Sequence, residues 1–246
     1  YMDSEMVNHV VKSFDSYFVN TGMLKKTVAL VAYTCKDRNI SLDIFKKIDK
    51  DLFSSILIFD KYNQKQQFEG YSDDKIEYVD VMGLNNSLIY KKIIEYDNDF
   101  VLNFSLHGGH DPKEINQVIS NSKLGYDLVI ASRFMQEGHR YDEDSPVPLR
   151  GLGNRIMTLL LNIFYDTNYI DTYQPFRCMS KHLLKSINID SNKAPNYQMC
   201  IQAAKSKCKI NEIPSKELKS SDDLSLFGAI EKAIYSAYLI VVEKFK

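Results

Sequence analysis

The sequence predicts a single α/β domain, a mainly parallel sheet flanked by helices. Short continuous apolar runs recur along the chain, and stretches with helical apolar spacing separate them. A strand of a parallel sheet is covered on both faces, so it reads as an unbroken apolar run rather than an alternation. No internal repeat or low-complexity linker divides the 246 residues.

Residues 2–20 read as helical, with Met6, Val10, Phe14 and Phe18 at a four-residue step, and form an N-terminal extension over 1–24. The main domain is expected over 25–215. Residues 27–33 give the first buried strand. Ser41 is then expected to cap a helix through about Leu52, with Ile44, Phe45, Ile48 and Leu52 as its apolar stripe. Residues 55–60 form a second strand ending on Asp60, 76–81 a third, and 100–104 a fourth after a helix over 84–96. Asp111, Pro112 and Glu114 spell a helix start: an acidic cap, proline in the first turn, and a glutamate three residues after the cap. Residues 126–131 give a fifth strand. Residues 135–149 are polar and aperiodic, a loop long enough to suspect function. A helix follows over about 150–164. In the C-terminal segment 216–246, Phe227, Ile230, Ile234, Ala237, Tyr238 and Val241 share one helix face, with Lys232, Ser236 and Glu243 opposite. That apolar face is expected to dock on the protein's own core or on a second subunit, with a membrane surface as the alternative.

Lys and Arg total 31 against 32 Asp and Glu, a net charge of −1 that gives no case for nucleic acid as partner. Cys35, Cys178, Cys200 and Cys208 are widely spaced, with no C-x-x-C pair, and read as reduced thiols of a cytoplasmic protein. Asp3, Glu5, Lys12 and Asp15 interrupt any leader-like apolar stretch, and no apolar run reaches the ~20 residues of a membrane span. Peripheral contact with the cytoplasmic face of a membrane stays open through the C-terminal helix.

In doubly wound sheets ligands bind beyond the carboxyl ends of the strands, so Asp60 and the segment 105–111 point at one crevice. Four blocks carry a resemblance to a known family. Residues 32–40 (AYTCKDRNI) resemble a nucleotide-contacting turn, and 58–63 (IFDKYN) a strand end that carries paired acids. Residues 125–134 (GYDLVIASRF) and 171–177 (DTYQPFR), with Arg150, Asn154 and Arg155 between them, are the most specific. Together they resemble the family 2 glycosyltransferases, and among them the polyprenyl (dolichol) phosphate mannose synthase-like branch. The resemblance spans about 27–214 and implies a GT-A, Rossmann-like fold that binds a UDP- or GDP-sugar. It further implies transfer of the sugar to a lipid-phosphate or envelope-glycan acceptor.

By the same resemblance Ala32, Tyr33, Asp60 and Ser105 are nucleotide-binding, and Arg133, Arg177 and Asp171 line the catalytic region. Such enzymes hold Mg²⁺ or Mn²⁺ with a D-x-D motif, because hard oxygen ligands suit those ions. Here Ser105 and His107 stand where the two aspartates belong, and the downstream His110, Asp111, Pro112 and Glu114 fix the alignment. Three readings follow. His107 supplies a metal ligand, imidazole suiting Mn²⁺ better than Mg²⁺; or catalysis is metal-independent, with Arg133, Arg140, Arg150 and Arg177 stabilising the diphosphate; or the domain is a catalytically inactive binding or scaffold protein. A lipid-phosphate acceptor needs no general base, whereas a hydroxyl acceptor does, with Asp142, Glu143 and Asp144 as candidates. Lys61 replaces the second acid of the strand end, and Gln174-Pro175 replaces a flexible small-residue turn, which hints at a changed acceptor pocket. A nucleotidyltransferase reading lacks the glycine-rich, lysine-anchored phosphate loop it would need.

Overall fold

A computed structural model describes residues 26–71, 74–140, 149–219 and 226–246; at 149, 150, 226 and 227 it describes the backbone alone. The expected N-terminal helix over 2–20, and most of the 135–149 loop with Asp142, Glu143 and Asp144, lie outside the described residues.

Seven strands form one sheet in the order β3-β2-β1-β4-β6-β5-β7. They are β1 Val28–Tyr33, β2 Ser55–Asp60, β3 Ile76–Asp80, β4 Phe100–Ser105, β5 Leu128–Ser132, β6 Arg177–Ser180 and β7 Ile210–Pro214. All pairings are parallel except those of β6, which runs antiparallel to both β4 and β5. The sheet is covered on both faces, as its apolar runs require. Ala29, Val31, Leu57 and Val101 join one apolar cluster, and Val28, Leu30, Ala32, Ile56 and Leu102 join the other. The chain passes from β1 outward to β2 and β3, then crosses back to lay β4 on the other side of β1. This β1/β4 boundary is the point where a doubly wound sheet opens a ligand crevice.

Eight α-helices are described: α1 Arg38–Lys47, α2 Lys65–Phe68, α3 Asn86–Glu95, α4 Ile115–Lys123, α5 Leu149–Tyr165, α6 Lys181–Ser186, α7 Pro195–Lys205 and α8 Leu226–Phe245. The first departs from expectation at both ends. Asp37, not Ser41, is its cap, accepting from the N–H groups of Asn39 and Ile40, and the helix stops at Lys47 before a separate 3₁₀ turn, Lys50–Leu52. A carboxylate offered to two orphan N–H groups outcompetes a hydroxyl one turn later. Ser41 lies inside the helix, where its hydroxyl oxygen accepts from the Cys35 N–H at 3.0 Å. Asp111 caps as expected, through the Lys113 N–H, but the first turn, Pro112–Glu114, is 3₁₀. Glu114 does not close a capping box. Its carboxylate accepts from the Ser215 hydroxyl at 2.5 Å and from the Lys216 N–H at 3.1 Å.

Of the seats expected for the apolar face of the C-terminal helix α8, the structure does not use the protein's own described core. Ser236 and Glu243 are buried, and Ile230, Ile234, Tyr238 and Val241 are exposed. The Glu243 carboxylate accepts from the Gln198 amide of α7 at 2.8 Å and from the Lys246 ammonium at 3.2 Å, while Lys205 of α7 donates to the Glu243 carbonyl at 2.6 Å. Leu239 and Ile240 supply the apolar part of the seat. Ala233 and Tyr235 pack beside them, the Tyr165 hydroxyl donates to the Ile240 carbonyl at 2.8 Å, and the apolar stripe faces out.

Candidate functional site

The carboxyl ends of β1, β2 and β4 lie side by side at one edge of the sheet, where a doubly wound fold binds its ligands. Tyr33 pairs in register with Ser105 across the β1/β4 boundary, and its carbonyl accepts the Leu106 N–H at 2.9 Å. Ala32, one residue earlier, is fully buried, so only its backbone position bears on the crevice. The Tyr33 ring meets the edge of Phe59 with centroids 5.5 Å apart, and the Lys61 ammonium lies 5.2 Å from the Tyr33 ring centre. Burial, with the neighbouring Tyr90, holds the Tyr33 phenol well above its ordinary pKa.

Asp60 organises the turn after β2. One carboxylate oxygen accepts from the Thr34 hydroxyl at 3.2 Å and the Tyr62 N–H at 3.0 Å, and the other from the Gln64 N–H. A carboxylate offers about four lone-pair sites, so these three donors leave capacity for a further N–H.

On the other side of the boundary the chain runs Ser105, Leu106, His107, Gly108, Gly109, His110. Gly108 has φ +81, a conformation that favours glycine, and it lets the chain fold back so that Gly109 donates its N–H to His107 Nδ1 at 2.9 Å. An accepting Nδ1 fixes the neutral tautomer with its proton on Nε2, which makes the outer nitrogen a donor and not a metal ligand. Ser105 is a weak ligand, and Asp111 gives one carboxylate oxygen to its cap. Among the described residues no three His, Cys, Asp or Glu side chains are grouped to hold an ion. Ser105 and His107 do not make the pair of hard carboxylate ligands that the resemblance implied for Mn²⁺ or Mg²⁺.

His110 is buried, its ring packed against Phe104 and Phe176, and its Nδ1 has no hydrogen-bond partner. Burial lowers its pKa well below the ordinary value, helped by His107 and Arg133, so it is neutral at pH 7.

Arg133, expected at the diphosphate, is committed elsewhere. Its Nε and Nη2 donate to Asp171 at 2.7 and 2.9 Å, its backbone N–H donates to the same carboxylate at 3.2 Å, and Nη1 donates to Glu217 at 2.8 Å. Burial opposes its charge, but the two carboxylates more than offset that and leave its pKa above the ordinary value. Asp171 is fully buried, so it is closed to an acceptor. Arg177 is also fully buried, and among the described residues no acid pairs with it. It donates to the carbonyls of Gln174, Thr172 and Asn196 and to the sulfurs of Met199 and Cys200. Its guanidinium has no face left for a phosphate. All three residues expected to be catalytic are buried, each with hydrogen-bond partners inside the protein.

Two acids that the sequence reading missed complete this wall. Glu217 holds Arg133, and its segment Ser215–Leu218 straps across the site. His139 donates its N–H to the Ser215 carbonyl at 3.1 Å, Glu217 donates back to the His139 carbonyl at 2.7 Å, and Leu218 donates to the Gly109 carbonyl at 2.9 Å. Glu212 of β7 accepts from the N–H groups of Ile170 and Asp171 at 2.6 and 3.0 Å and so presents Asp171 to Arg133. Burial pushes its pKa up to about 7 despite those donors. An acid inside a short buried strand was the available signal for Glu212; Glu217 had none. Beside the strap, the guanidiniums of Arg133, Arg140 and Arg155 lie 5.5, 5.1 and 5.2 Å from the ring centre of Phe134. Arg155 is exposed, and the Arg150 side chain lies outside the described residues.

The fold recurs among solved structures. The fold is GT-A. Glucosyl-3-phosphoglycerate synthase from Mycobacterium tuberculosis, in complex with Mn²⁺, UDP and phosphoglyceric acid, matches with TM-score 0.68 and 10% identity, over 91% of this chain and 80% of that one. The same enzyme with Mn²⁺, UDP-glucose and phosphoglyceric acid matches with TM-score 0.64 and 11% identity, over 91% and 82%. No family model and no curated protein matches the chain.

Proposed function

We propose that this chain is a glycosyltransferase that moves a hexose from a UDP- or GDP-sugar to an acceptor carrying an anionic group, a lipid phosphate or an envelope-glycan precursor. The crevice at the β1/β4 boundary of a GT-A sheet carries this reading, because the similar synthase structures include UDP-glucose and a phosphorylated acceptor. Ala32 and Tyr33 would frame the base, Asp60 would accept a ring N–H with its remaining lone pair, and Ser105 would bond the ribose or diphosphate. An acceptor oxygen attacks the anomeric carbon, the bond from that carbon to the diphosphate oxygen breaks, and the diphosphate departs with the electron pair. Lys61, the Nε2–H of His107, and Arg140 and Arg155 beside Phe134 would be the donors offered to that charge. Arg133, Asp171 and Arg177 are positioning residues: they hold the 133 and 171 turns that shape the acceptor side.

A second reading is favoured by a specific observation. Both aspartates of the metal motif are replaced and His107 Nδ1 is taken by Gly109, so a binding protein without turnover also suits the site. Calorimetry with UDP and GDP, with and without Mn²⁺, followed by product analysis with the corresponding sugar nucleotides, separates the two. Binding that is indifferent to Mn²⁺, with turnover, supports the transferase. Binding without turnover under any donor supports the second reading, and no nucleotide binding at all sinks both.

A further inference from the structure

The outward stripe on α8 has a companion. On α5, which packs against α8, Leu152, Ile156, Leu159 and Ile163 are 56%, 50%, 58% and 67% exposed, while Met157 and Leu161 face the core. On α8 Ile230, Ile234 and Val241 are 50%, 68% and 51% exposed, with Ala237 exposed between them. Both rows step by four, three and four residues. That is the spacing of a seam where one helix packs along another, narrower than the stripe a helix needs to cover a globular core. With Phe164, Tyr238 and Phe245 alongside, the two helices expose on the order of 1,000 Å² of apolar side chain, well beyond the roughly 300–600 Å² patch of an ordinary monomer.

We propose that this α5/α8 face is the interface of a homodimer, with the seam helices of one copy packed against those of the other. The area fits: about 800 Å² per partner makes a standard stable interface, and this face offers at least that. A face that meets its own copy must be self-complementary, and uncharged seams at equal spacing on adjacent helices satisfy that without opposed like charges. A lipid surface suits the charges less well, since interfacial helices carry Lys and Arg ready for headgroups. Here Arg155 lies against Phe134, Lys193 pairs with Glu231 at 2.6 Å, and Lys244 donates to the Phe164 carbonyl at 2.7 Å and lies over Tyr165. The buried Glu243, bonded to Gln198, fixes the helix in this orientation, so the stripe cannot roll inward to cover itself.

Sedimentation velocity of the full chain over about 1–100 μM tests the inference, since self-association follows mass action. The chain should sediment as a dimer. Ile163→Glu and Ile234→Glu should each weaken the dimer at least about tenfold at unchanged helical content, and together give a monomer. Leu124→Glu, at a leucine 52% exposed just past the end of α4 and on neither seam helix, should leave the dimer intact. A spin label at Ala237→Cys provides a readout that does not depend on tolerating a buried charge, because dipolar coupling between two copies appears only if their α8 helices meet. A monomer throughout that range, a dimer indifferent to both glutamates, no coupling at 237, or a monomer that floats with phosphatidylglycerol vesicles would overturn the inference.

Discussion

Asp171→Asn isolates the strongest buried interaction of the site. The substitution turns one carboxylate oxygen into an amide NH₂ facing a guanidinium, so one of the contacts at 2.7 and 2.9 Å becomes donor against donor. Removing one partner of a buried pair costs about 3–5 kcal/mol, because the remaining charge stays desolvated and unpaired. Glu217 still holds Arg133 Nη1 at 2.8 Å, which places the expected loss near the lower end, about 3 kcal/mol. For a domain of this size that corresponds to a fall in Tm of roughly 6–12 °C. Urea denaturation followed by circular dichroism measures the change, and Arg133→Met, Asp171→Leu and their double variant form a closed cycle on the same pair. With neither Arg133 nor Asp171 left charged without the other, the double variant should lose less than those two single changes added together. A loss under about 1 kcal/mol for Asp171→Asn, the range of an exposed pair, would refute the reasoning.

Three further outcomes follow from the same geometry. Arg177→Lys should destabilise by at least about 2 kcal/mol, because an ammonium cannot serve the carbonyls of Thr172, Gln174 and Asn196 together; a wild-type denaturation midpoint would contradict this. Glu212→Gln should flatten the pH dependence of stability. The folded pKa of about 7 lies above the ordinary 4.5, so the native state holds the extra proton, and stability falls as pH rises through that window by at most about 3 kcal/mol. His110, with its lowered pKa, pulls the other way near its ordinary value, so the informative quantity is the difference between Glu212→Gln and wild type; parallel curves would disprove the assignment. Asp60→Ala should lose about 1–2 kcal/mol of stability through the turn at 61–64 and weaken nucleotide binding at least tenfold by calorimetry; unchanged affinity would remove Asp60 from the proposed base contact.

Much of the sheet was legible because parallel strands write their burial directly into composition: β1, β2 and β4 stand within a residue or two of where their apolar runs fall. The fifth strand begins two residues later than its pattern suggests, at Leu128, after Asp127 has bonded to Ser180 and Lys209 with both backbone and carboxylate. β6 is only four residues long, and its reversed direction depends on partners that no local pattern encodes. The facing of α8 escaped for a related reason. Periodicity identifies an apolar side, but only the Gln198 and Lys205 bonds to Glu243 decide which side the body takes. At the site, the sequence marked Arg133, Asp171 and Arg177 as belonging together without distinguishing a wall from a pocket. That difference rests on Glu217 and Glu212, which reach them from 84 and 41 residues away in the chain.

The strap at 215–218 gives the site a place in the order of folding. Its bonds to Glu114 span 101 and 102 residues, and Glu217 reaches back 84 to Arg133. Contacts this distant form late, because the intervening loop must close before they return any free energy. During synthesis β1 to β5 emerge while Arg133 still lacks both of its acids, and a positive charge sits unmatched at the end of β5. The binding crevice and its far wall are therefore completed at different times, and a ribosome-bound chain halted short of Leu218 should have the sheet without the finished site.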